Sequence, residues 1–229
     1  MTGTLAPTPP RSRWPLERRW DAARPLPVGA IVGKAAPTAA TPFDFTAAMR
    51  VLCEDIILRV PTFAPLDLSR MLVSFTPCRT RSRFGLMARV TPMRYKQGAL
   101  TRRMRGVLYG TQRYYVDGRE MLYVVTFCLP RFLDQTFEEK LTTVFHELFH
   151  VSPAFDGDIR RLPGRCEVHS RSKQQYDENM LKLVRVYLAD HPRPEVYEPF
   201  RFRTTDLLNR HGRIVGTVVP RPMLIPLAW

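Results

Sequence analysis

Residues 122–151 read LYVVTFCLPRFLDQTFEEKLTTVFHELFHV, and two periodicities meet in them. The run Leu122–Leu129 is apolar on both alternating faces, the pattern of a central strand covered on both sides. Thr136 and Glu139 then make a capping box, each side chain serving a free backbone N–H of a first helical turn. The helix they open is expected to reach about Val151 and to stop at Pro153. At about 100° per residue, Phe137, Leu141, Val144, Leu148 and Val151 fall in one stripe, which is the core face.

Working outward, residues 44–59 carry Phe45, Met49, Leu52 and Ile56 at helical spacing, and Pro61 ends that helix. Strand-like runs follow at 71–76, 86–91, about 107–116 and 120–129. Asp117-Gly118 joins the last two as a hairpin turn, because both turn positions need positive φ. Beyond the quoted stretch, Pro153, Gly157, Pro163 and Gly164 mark 152–170 as a loop. Ser172 with Gln175 opens a second capped helix to about Ala189. A short helix at 204–209, closed by Gly212, and a strand at 213–219 complete an α+β fold. Residues 1–42 hold eight of the 21 prolines among scattered basic residues and read as a disordered Pro/Arg-rich tail, leaving 43–229 as the folded domain.

The whole chain bounds the function classes. Its 229 residues are 45% hydrophobic and 24% charged, an ordinary composition for one domain with a core. No stretch approaches the roughly 18 apolar residues of a membrane helix, and no compact apolar signal opens the chain. A cytoplasmic protein that does not enter membranes is expected. Cys53, Cys78, Cys128 and Cys166 lie far apart with no C-x-x-C pair, which excludes a zinc ribbon and a small disulfide scaffold. They read as reduced thiols. The net charge of +14 favours anionic partners, nucleic acid among them, although Arg outnumbers Lys 30 to 5, a skew that base composition also produces. Arg79, Arg81, Arg83, Arg89, Arg94, Arg102, Arg103 and Arg105 would carry phosphate contacts.

The chemistry concentrates at His146-Glu147-Leu148-Phe149-His150. Residues four apart share a helix face, so His146 and His150 can both aim a ring nitrogen at one Zn2+ about 2 Å away. Glu147 projects beside them, placed to take a proton from water activated there. Both histidines fall nearly opposite the core stripe, with Phe145 and Phe149 on the flank. A catalytic zinc needs a third protein ligand. His169, 19 positions after His150, is the favoured candidate, Asp156 the runner-up, and Glu167 and Cys166 remain open. Asp156 and Asp158 suit a role behind the ligands, or a plain Asp-Gly-Asp turn. Arg160, Arg161, Arg165 and Arg171 would balance these acids or rim the cleft. His191 and His211 read as helix-end residues.

The longer pattern H-E-L-x-H…FDGDIRR…H-S-x-S-x-x-x-Y-D, within 132–176, resembles a family of metallopeptidases of phages and bacteria known mainly by prediction. The resemblance extends from about Met71 to the C-terminus and includes the Arg-rich run RTRSRFG at 79–85. More distantly the layout is similar to SprT-type zinc proteases: H-E-x-x-H, a loop, then a third His before a helix. That resemblance implies a zincin-like fold, with a mixed or antiparallel sheet packed on the H-E-x-x-H helix. It implies zinc on His146, His150 and His169, Glu147 as the catalytic acid/base, and a protein or peptide substrate. The Cys-rich ribbon that many SprT-type proteins carry is absent from this sequence. Two rival readings are a zinc hydrolase of another substrate and a basic nucleic-acid-binding protein with structural zinc.

Overall fold

The apolar run of the quoted stretch becomes the middle strand of a three-stranded sheet. In the computed structural model, which describes residues 15–33, 41–78, 84–161 and 173–228, the elements in chain order are β1 (Glu17–Trp20), β2 (Val28–Val32), β3 (Phe43–Asp44), α1 (Phe45–Arg59), β4 (Met71–Pro77), β5 (Ala88–Pro92), β6 (Thr101–Met104), β7 (Val107–Thr111), β8 (Arg113–Val116), β9 (Arg119–Met121), β10 (Tyr123–Leu129), α2 (Phe137–Phe149), α3 (Lys173–Ala189), α4 (Pro194–Tyr197), α5 (Thr204–His211), β11 (Arg213–Thr217) and β12 (Leu224–Ala228). The strands form four small sheets, β1-β8-β9, β4-β10-β5, β2-β11-β3 and β12-β7-β6, the first three mixed and the last antiparallel. The fold is mixed α+β.

Strand β10 is buried along its whole length. It runs parallel to β4 and antiparallel to β5, with Val125 opposite both Val73 and Val90. Its odd-numbered side chains, Tyr123, Val125, Phe127 and Leu129, enter the larger core shared with the helices. Val124 points the other way, into a second cluster with Leu72, Met93, Tyr114, Met121 and Trp20. Two cores on two faces explain why no polar alternation is visible in this strand. Helix α2 packs against the sheet; of its expected stripe Leu141, Val144 and Leu148 are fully buried, as is Val151 just beyond its end, whereas Phe137 in the first turn is only partly buried. Thr136 and Glu139 close the expected capping box, with bonds of 3.3 and 2.8 Å. Asp117 and Gly118 take φ of 48° and 77° in the β8–β9 hairpin, as the turn chemistry requires.

Residues 15–33 correct the expectation of a disordered tail. β1 pairs in parallel with β8 from Glu17↔Arg113 to Trp20↔Val116, and β2 pairs antiparallel with β11. Trp20 is buried, with its ring edge-on to Tyr114 at 5.0 Å. Pro15, Pro25 and Pro27 flank these strands without interrupting them. A segment this short buries too little alone, but it gains backbone bonds by adding to sheets that already exist. The long hairpin strands expected at 107–116 and 120–129 are each broken in two, at Gln112 and Leu122, where the ribbon passes from one sheet to the next. At those points Gln112 N–H turns to the Met223 carbonyl and Leu122 N–H to that of Arg70.

Candidate metal centre

Helix α2 packs against β5, and Glu147 in its last two turns meets Val90 in the middle of that strand. His146 and His150 stand one above the other, as i and i+4 must, with ring planes 82° apart and centroids at 4.5 Å. Their Nε2 atoms are 2.8 Å apart. A tetrahedral zinc bonded at about 2.05 Å holds two nitrogens roughly 3.3 Å apart. The two nitrogens meet at hydrogen-bond distance, and they would have to part by about 0.5 Å to share one ion. Both are imidazoles, which suit zinc.

Glu147, next to His146 in the chain, is only 6% exposed. Burial pushes its carboxyl up to about 7, a shift partly offset by a hydrogen bond from the Val90 N–H. That bond fixes its orientation relative to β5. Cys128 N–H bonds the Met87 carbonyl, and Met93 N–H bonds that of Leu122, so alternate residues of this stretch face β10. The backbone groups of Ala88 and Val90 face away from β10, along the edge beside Glu147. Because the folded-state pKa of Glu147 is raised, the metal-free fold is favoured by its protonated form. That stabilisation is full below about pH 4.5 and is lost as pH rises through about 7, a change on the order of 3 kcal/mol. Urea denaturation of metal-free protein at pH 4.5 and pH 8 should show this loss in the wild type and not in Glu147→Gln.

The chain after α2 folds back on it. Val151 bridges Ile159, and Arg160 N–H bonds the His150 carbonyl at 2.7 Å. Arg160 also donates from Nε to the Phe149 carbonyl and stacks over the Phe149 ring at 4.1 Å, a cation at the helix C-terminus. Phe149 is thus a cushion for Arg160, whereas Phe145 is fully buried against Phe63 and Tyr187. The turn Phe155–Asp158 is held from beneath by Tyr123, whose hydroxyl accepts from Gly157 N–H and donates to the Asp158 carbonyl, at 2.9 and 2.8 Å. Gly157 has φ 87°, and a Cβ there would strike the Arg94 side chain. Burial alone would raise the Asp158 carboxyl, but Arg161 and the N–H groups of Ile159 and Gln97 outweigh it and hold the pKa below the usual range.

Asp156 and Asp158 therefore act in the turn. Asp156 accepts the Asp158 N–H at 3.1 Å, and its Cβ lies against Gly98. Among the described residues no three His, Cys, Asp or Glu side chains gather to hold a metal, so Asp156 does not join the histidine pair. His169, Glu167, Cys166, Arg165 and Arg171 lie outside the described residues. His191 follows the end of α3 with φ 50°, and His211 ends α5 with Nδ1 at 3.0 Å from the Thr41 carbonyl, both where expected.

Of the arginines expected to contact phosphate, Arg94 is committed elsewhere: it meets both carboxylate oxygens of Glu120 at 2.7 Å. Arg102 and Arg103 on β6, and Arg105 in the turn after it, are exposed. Arg79, Arg81 and Arg83 lie outside the described residues. The sequence reading missed Val90, Tyr123 and the Arg94–Glu120 pair. A backbone N–H carries no sequence signal, and a tyrosine inside an apolar strand reads as core.

Compared with protein-family models, curated proteins and solved structures, the chain matches none. Among the described residues no helix is long and apolar enough to cross a membrane.

Proposed function

We propose that the protein is a zinc-dependent metallopeptidase, an endopeptidase of zincin-like architecture, with His146 and His150 as two of the metal ligands and His169 as the third. The carrying observation is the convergence of the two Nε2 atoms to 2.8 Å on the helix that also bears Glu147. Zinc bound there would polarise the scissile carbonyl and make water acidic enough to deprotonate near neutral pH. Glu147 would take that proton and pass it to the leaving amine.

The edge of β5 supports a peptide rather than a compact substrate. The outward C=O and N–H groups of Ala88, with the C=O of Val90, can pair with an extended chain laid along the sheet. Such a chain passes beside Glu147 because Val90 N–H already bonds that carboxyl.

An unfolded protein such as reduced, alkylated casein should be cut internally by the zinc-loaded chain. A chelator should abolish cutting, and stoichiometric zinc should restore it. Cleavage unaffected by chelation would refute the assignment, and zinc binding with no cleavage of any extended substrate would favour a structural metal.

A further inference from the structure

Cys78 and Cys128 belong to no part of the candidate metal centre, yet the fold brings them together. Cys128 is opposite Thr76 in the parallel β4–β10 ladder, and Cys78 follows two residues later on the same side of its strand. Cys78 N–H bonds the Leu129 carbonyl at 2.7 Å, carrying the ladder one step beyond β4. Burial holds the Cys128 thiol above the ordinary thiol range; the neighbouring Cys78 pushes in the same direction, and the guanidinium groups of Arg131 and Arg89 oppose it. Both cysteines are free; Cys128 is buried and Cys78 half-exposed. Such a pair, one thiol open to solvent and its neighbour beside two cations, is a setting in which thiol–disulfide exchange can proceed. The third described cysteine, Cys53, is the opposite case: 1% exposed, with burial pushing its thiol up to about 12.

We propose that Cys78 and Cys128 form a redox-modifiable dithiol that low-molecular-weight disulfides convert to an intramolecular disulfide. The half-exposed Cys78, as thiolate, attacks one sulfur of the small disulfide, breaking its S–S bond and releasing one thiol. Cys128 then gives its proton to solvent and attacks the Cys78 sulfur, expelling the second small thiol. Two protein thiols are oxidised to one disulfide, and the small disulfide is reduced to two thiols. The new bond ties the end of β4 to β10 at the residue whose N–H bonds Met87, directly before β5. The proposal does not depend on the peptidase reading.

The test incubates the full chain with oxidised glutathione, blocks remaining thiols after denaturation, and maps peptides by mass spectrometry. The expected result is a Cys78–Cys128 cross-linked peptide in at least about tenfold excess over any other pairing. Cys53 should stay alkylatable, and dithiothreitol should restore both lost thiols. Cys78→Ser and Cys128→Ser should each abolish the cross-link while leaving the fold intact by circular dichroism. Arrest at a glutathione adduct on Cys78, full alkylation of both thiols, or dominant pairing with Cys166 would overturn the proposal.

Discussion

Glu147→Gln should bind zinc with an affinity within about threefold of the wild type and lose about 10²- to 10⁴-fold in peptide hydrolysis, the range of a missing general base. Glutamine has the same shape, and its carbonyl oxygen can still accept the Val90 N–H, so the helix and β5 should stay in place. What it lacks is a carboxylate able to accept a proton. Zinc content by atomic emission and kcat/KM on a quenched-fluorescent peptide separate the two effects. Undiminished hydrolysis would remove Glu147 from the mechanism. Loss of metal would make it a structural support for the histidines.

Phe45→Ala should destabilise the fold by about 3–5 kcal/mol, a large part of the roughly 5–15 kcal/mol that holds a domain together. The ring is fully buried at the first turn of α1, where Asp44 caps the helix through Ala47 N–H. It meets Phe75 of β4, Phe127 of β10, Phe132 and Phe200 edge-on, with centroids 5.6 to 6.3 Å apart. Truncation leaves a cavity bordered by stiff rings on separate elements, which cannot all move inward. Because Phe132 leads into α2, the seat of the metal helix should loosen too. Urea denaturation at fixed pH gives the measurement. A change below about 1 kcal/mol would mean that these rings repack freely and do not form the central support.

What could be read from sequence was what local chemistry decides. Thr136 and Glu139 announce the helix start because their two bonds lie within one turn, and Asp117-Gly118 announces the hairpin because few residues accept its φ. The stripe on α2 is legible because every member is one or two turns from the next. The strands at 17–20 and 28–32 were hidden because their partners, β8 and β11, lie about 95 and 185 residues away in the chain. Composition then pointed to disorder. At the site, spacing places His146 and His150 on one face, but Val90 reaches Glu147 only through the sheet register. The two aspartates were open to two readings, and the turn they form is settled by Tyr123 and Arg94, which are distant in sequence.

The central claim is that His146 and His150 hold one zinc ion together. Calorimetric titration of the metal-free chain with zinc at pH 7.5 tests it most directly, comparing wild type with His146→Ala and His150→Ala. The account predicts one tightly bound zinc per wild-type chain and an affinity at least about 100-fold lower in each variant, with the fold retained. Equal zinc binding by wild type and both variants, or no zinc bound by the wild type, would contradict it.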